Sequence, residues 1–156
     1  MKTLAFFFAL VSPLFARLGE SLEECKARYG EPYEVLQESS TACFNKAGLT
    51  VIIQFDKGRA AGIVFHKKKE AGETAIRNAP LSETELVALL ASNSGGATWV
   101  EREDLVLVKK IYDTKEESRI AIYDKIQHRL SFFTMAYLNM IEAKKEAEEA
   151  KNLNGF

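Results

Sequence analysis

The sequence predicts an α+β fold: a short helix followed by a three- or four-stranded antiparallel meander, twice in tandem, plus a C-terminal helix. Three observations predict it. Two serine-led capping boxes, Ser21–Glu24 and Ser82–Glu85, open apolar-periodic segments 61 residues apart. Each is followed by β-branched and aromatic runs broken by Gly- or Asp-Lys-containing turns. Short segments also match in the same order. Ser21 to Gly30 aligns with Ser82 to Ala91, and Ile53-Gln54-Phe55-Asp56-Lys57 with Ala121-Ile122-Tyr123-Asp124-Lys125 at an offset of 68. One unit of about 60 residues buries a marginal core, whereas two sharing a sheet bury enough.

The elements follow in order. Leu22, Cys25 and Tyr29 recur at helical spacing, Gly30 stops that helix and Pro32 forbids its return. Tyr33 to Leu36 and Thr41 to Phe44 are strand candidates, and Leu49 to Phe55 is the strongest strand by β-branched content. Asp56-Lys57-Gly58 turns the chain into Ala60 to His66. Residues 67–79, with a Lys67-Lys68-Lys69 run, read as a solvated connection. In the second half Leu86, Leu89 and Leu90 line a helix that Asn93-Ser94-Gly95-Gly96 ends. Thr98 to Val100, Leu105 to Tyr112, Arg119 to Tyr123 and Arg129 to Thr134 are its strands. Met135 to Lys151 reads as a helix whose distal half is Ala-rich and charged.

The first sixteen residues read as an address. Lys2, the apolar run Leu4 to Val11, the Ser12-Pro13 break and Ala16 form the pattern of a secretory signal peptide cut after Ala16. The run is too short to span a bilayer, which takes about 20 residues. The expected organisation is therefore signal peptide 1–16, first unit 17–66, connection 67–79, second unit 80–134 and C-terminal helix with tail 135–156. The mature chain is expected to be secreted or periplasmic, without a membrane span. In that compartment the two cysteines, Cys25 and Cys43, read as a disulfide closing a loop. Such a bridge stabilises by about 3 kcal/mol. The alternative is two buried thiols packed as small apolar groups.

Of the 156 residues 47% are hydrophobic and 28% charged, with formal net charge −1. That is globular composition, and it offers no basic field for nucleic acid.

The segment from Gly19 to Pro32, GESLEECKARYGEP, resembles a Gly-x-[Ser/Thr]…[Leu/Tyr]-Gly-x-Pro opening found in small envelope proteins. Among them are the β-lactamase inhibitor protein family and the small lipoprotein of the outer-membrane β-barrel assembly machinery. The resemblance implies a helix on an antiparallel sheet and, from the inhibitor family, a tandem repeat. This chain lacks the lipoprotein's attachment cysteine after the cut, and only its first half carries cysteines. The resemblance carries no binding residue across.

No phosphate loop, dinucleotide fingerprint, metalloprotease helix or nucleophile elbow is present. No catalytic, metal or cofactor residue is therefore assigned, and no cofactor is expected. The aromatic residues Tyr33, Trp99, Tyr112, Phe132 and Phe133 are the candidates for contact with another protein. Phe132 and Phe133 face opposite sides of any strand, so they cannot share one core. The expected function is an exported non-catalytic protein-binding or inhibitor-like module, its partner in the envelope or outside the cell. One alternative is a small exported hydrolase or metal-dependent enzyme using His66 or His128. Another is a structural envelope component.

Overall fold

A computed structural model describes residues 17–38, 40–67, 78–102, 107–116 and 118–153. The expected signal peptide and most of the expected connection lie outside the described residues. The chain forms α1 (Leu22–Tyr29), β1 (Glu34–Leu36), β2 (Thr41–Lys46), β3 (Leu49–Asp56) and β4 (Arg59–Lys67). It continues through α2 (Glu83–Asn93), β5 (Trp99–Glu101), β6 (Lys109–Thr114), β7 (Arg119–Asp124), β8 (Arg129–Thr134) and α3 (Met135–Leu153). The fold is α+β, with one eight-stranded sheet in the order β1-β2-β3-β4-β8-β7-β6-β5. Every neighbouring pair is antiparallel.

A helix and a four-stranded meander thus occur twice, joined where β4 pairs with β8. Ile53–Lys57 and Ala121–Lys125 fall at matching places, each closing the third strand of its meander. This is a repetition of element order; it is not by itself a duplication of sequence.

Both helices start as their sequences dictate. The Glu24 N–H donates to Ser21 Oγ (3.3 Å), and the Ser21 N–H donates to Glu24 Oε2 (2.7 Å). Ser82 and Glu85 repeat the exchange at 3.2 and 2.6 Å. Each box satisfies two N–H groups that the helix leaves unpaired. The end of α2 is less local: Arg119 of β7 donates to the Asn93 carbonyl (2.8 Å).

Alternation decides which side chains face the helices. Ala42, Phe44, Val51, Ile53, Ile63, Phe65, Leu130, Phe132, Ala121 and Tyr112 form one continuous core with Cys25, Tyr29 and Leu89. Phe132 meets Phe65 edge-to-face at 5.9 Å between ring centres, and Trp99 at the same distance. The opposite face carries the row Cys43, Ile52, Val64, Ser131, Ile122 and Ile111, neighbours across successive strands. Phe133 lies on this face opposite Gly62. A Cβ on Gly62 would stand 3.0 Å from the Phe133 ring and 2.8 Å from Gln54 Oε1, so a larger residue here would make both side chains shift.

Two expectations need correction. Cys25 and Cys43 are both free. Cys25 packs between α1 and the sheet, while Cys43 points from β2 to the other face and stands outside that core. The sheet therefore separates the two thiols, and no Cys25–Cys43 bridge forms. The strand expected over Leu105 to Tyr112 lies further along, at Lys109–Thr114. Its partner β7 begins at Arg119 after a short turn, and pairing runs from Asp113↔Ile120 to Lys109↔Asp124. Leu107 falls beyond the sheet and is 86% exposed.

The helix α3 uses only its start. From Met135 to Met140 all but Ala136 and Asn139 are half-buried, and residues 141–152 are all exposed. Tyr137 reaches toward Asp56, and burial raises its hydroxyl pKa, with the Asp56 charge adding to the effect. Among the described residues no helix is long and apolar enough to cross a membrane.

Candidate functional site

The described sheet ends in β1 on one side and β5 on the other. A terminal strand presents backbone N–H and C=O groups along its outer side, and proteins usually blunt it with charge or cover it. Here the two ends differ.

Tyr33, Val35 and Leu36, at and just before β1, are 56%, 47% and 46% exposed. Beside them lies a groove of about 300 Å³ lined by Leu22, Val35, Leu36, Ala42 and Phe55 together with the polar Gln37, Ser40, Thr41 and Lys57 and with Gly58. Local sequence builds each wall. Leu22 is the first residue of α1, placed by the Ser21 cap. Lys57 and Gly58 have φ of 49° and 76°, the left-handed pair that a two-residue hairpin needs. The register shifts between Gln54 and Phe55, and the Phe55 N–H turns to the Ser40 carbonyl (2.8 Å). That bulge helps set Phe55 in the groove wall. Tyr33 folds over the other face, where its hydroxyl hydrogen-bonds the Cys43 thiol. Burial raises the Cys43 pKa despite that bond, and burial pushes Cys25 up to about 12. Neither thiol is an activated nucleophile.

At the other end Trp99 turns inward, and its Nε1–H donates to the Leu90 carbonyl (2.7 Å). The strand is flanked by the Arg102–Asp113 ion pair and by Lys110–Glu101 at 3.6 Å. A hollow of about 430 Å³ next to it is lined by Glu101, Arg102, Asp113 and Lys115 with Val100 and Met135. Of its charges, Arg102 pairs with Asp113 and Glu101 with Lys110.

The sequence candidates are thus divided. Tyr112 and Phe132 belong to the core, 7% and 0% exposed, and are unavailable as a contact surface, while Trp99 is half-buried and packs against that core. Burial, with Glu101 beside it, pushes the Tyr112 hydroxyl up to about 12. Phe133 is half-buried against Gly62, and Tyr33 alone of the five is largely exposed. Val35, Leu36, Leu22 and Phe55 were missed. The available signal was the adjacent pair Val35-Leu36 in a strand too short to bury both faces.

His66 Nδ1 lies 3.3 Å from the Lys67 carbonyl, and His128 Nδ1 is buried without a hydrogen-bond partner. Among the described residues no group of three His, Cys, Asp or Glu side chains could hold a metal.

No family model matches the chain, and no curated protein does. Two solved structures share part of its outline. One is a cysteine-rich secretory protein from Staphylococcus aureus subsp. aureus Mu50, at 12% identity and TM-score 0.43 over 78% of this chain and 46% of that one. The other is an extracellular protein containing a SCP domain from Bacillus anthracis str. Ames, at 8% identity and TM-score 0.40 over 78% and 45%. The chain spans under half the length of either. A likeness of this order transfers neither family nor function.

Proposed function

We propose that this chain is an exported, non-catalytic protein-binding module that receives an extended segment of its partner along the outer side of β1. One observation carries the reading: an edge strand with exposed apolar side chains beside an apolar groove. Strand addition supplies main-chain hydrogen bonds that any sequence can make, and a pocket for alternate side chains supplies selectivity. The groove supplies such a pocket. Lys57 in its lining favours an acidic residue in the partner segment. Export rests on the sequence pattern of residues 1–16. The reading calls for no cofactor.

The test is a titration of isotope-labelled protein with extended peptides of alternating apolar residues, followed by amide NMR. The expected result is shift changes confined to residues 33–37, 40–42 and 55–58, with slowed exchange of the β1 amides. Val35→Lys should abolish them at an unchanged melting temperature. Binding that survives Val35→Lys, or maps to the β5 side, sinks the proposal.

A further inference from the structure

Residues 17–20 belong to the fold. Leu18 is buried in the core. The Gly19 N–H donates to the Ala60 carbonyl (2.7 Å), and the Ala60 N–H donates to the Glu20 carbonyl (2.8 Å). These bonds fix the chain against the start of β4, and Arg59 adds a bond to the Gly19 carbonyl (3.3 Å). The Glu20 carboxylate is 13% exposed and grips Arg28 of α1, accepting from its Nε at 3.1 Å on Oε2 and from its NH2 on Oε1. That Oε2 also accepts from the main-chain nitrogen of Arg17 at 3.3 Å. Arg17 is the residue at which the sequence places the leader cut.

We propose that hydrolysis of the Ala16–Arg17 bond is a maturation step that seats the new Arg17 α-ammonium on the half-buried Glu20 carboxylate. Water, activated by a processing peptidase, adds its hydroxyl to the Ala16 carbonyl carbon. The C–N bond breaks, Ala16 leaves as a carboxylate, and the Arg17 nitrogen takes up two protons, so that both hydrogens of the water end on it. The nitrogen does not need to move. A neutral amide donor becomes a cation with three donors beside an anion, and such charge-assisted bonds are about twice as strong as neutral ones. The other charges in this corner are Arg28, already on Glu20, Arg59, held by Glu24 at 3.1 Å, and the Arg17 guanidinium. The cations oppose the ammonium. The carboxylate at hydrogen-bond distance outweighs them, because it is the shortest separation in a partly desolvated setting.

The location of Leu18 also orders the events. A scissile bond two residues from a core side chain cannot be drawn into a peptidase cleft once the sheet has closed, so the cut precedes folding. The inference shares with the proposed function only the export of the chain, and the contact is tested independently of it.

The experiment compares two chains beginning at Arg17, one with a free and one with an acetylated α-amino group, by melting temperature against pH. Glu20 favours the charged amine, so it titrates above the ordinary α-amino range of about 7.7–8.0. The stabilisation is therefore full below that range and lost as pH rises through the raised value. The free form should melt a few degrees higher at about pH 6, and the gap should close by about pH 10. Glu20→Gln should remove the gap; if that variant does not fold, the acetylation comparison stands alone. Equal melting at every pH, or a gap persisting in strong base, overturns the contact. A native mature chain that begins at any residue other than Arg17 overturns the processing site.

Discussion

Two short strands close the described sheet, and each begins beside an aromatic residue that follows a glycine stop. At β5 the aromatic is Trp99, which packs on Phe132 and bonds the Leu90 carbonyl. At β1 it is Tyr33, more than half exposed, with Val35 and Leu36 beside it. Charge follows the same division: Arg102–Asp113 and Lys110–Glu101 flank β5, while the groove at β1 sets five apolar side chains beside Gln37, Ser40 and Thr41, with Lys57 its one charge. The second half has spent its aromatic on the core and guarded its edge with ions, a usual protection against unwanted pairing. In the first half Val35 and Leu36 stay exposed beside Glu34, and among the described residues no strand pairs with the outer side of β1, although Val100 of β5 is as exposed as Val35. Such an edge is an aggregation hazard unless something covers it.

The largest expected effect tests that division directly. Trp99→Ala should destabilise the fold by about 3 kcal/mol, as removal of a large packed aromatic does. Tyr33→Ala should cost less than about 1 kcal/mol, since an exposed ring loses little packing. Urea denaturation of the two variants reads both, and comparable losses would show that the edges are equivalent.

Next in size is the removal of the charges that guard β5. Arg102→Val with Lys110→Val should change stability by less than about 1 kcal/mol, because these pairs are partly exposed and screened by solvent. It should produce concentration-dependent self-association in sedimentation velocity. A variant that remains monomeric would mean that the ion pairs do not guard the edge.

The smallest effect concerns the two caps. The Ser21 backbone N–H, then its hydroxyl, hold the Glu24 carboxyl below the ordinary range. Burial works against ionisation of Glu85, yet the Ser82 N–H and Lys67, at 2.9 Å, bring it below that range too. Both contributions are therefore present above the ordinary carboxylate value of about 4.3 and lost as pH falls through the lowered ones. Lys67→Met should raise Glu85 toward the ordinary value and leave Glu24 where it is, in a carboxyl NMR titration. Equal movement of both would remove the distinction between a cap whose strand cation is Lys67 and one whose strand cation is Arg59.

Much of this architecture is legible in the chain because it is local. A serine with glutamate three residues on makes a cap, Lys57-Gly58 makes a hairpin, and alternation separates Phe132 from Phe133. The strand near residue 109 was misplaced because apolar content does not reveal where a partner strand starts; Arg119 of β7 decides that. The disulfide was misjudged for a similar reason. Spacing and compartment favour a Cys25–Cys43 bridge, but which face of β2 a side chain takes depends on register with Ile52 and Val64. Packing that no single segment encodes buried Tyr112 and Phe132 and half-buried Trp99 and Phe133, and the groove at Leu22 and Phe55 joins residues from α1 and β3.

The sequence by itself determined the α+β class, the element order, both helix caps and the turns, since these follow from interactions within a few residues. Only the tertiary structure decided the joining of the two meanders through β4 and β8. It also separated the thiols, packed Trp99 against Phe132 and placed β1 at one end of the described sheet, because each depends on which distant strands become neighbours.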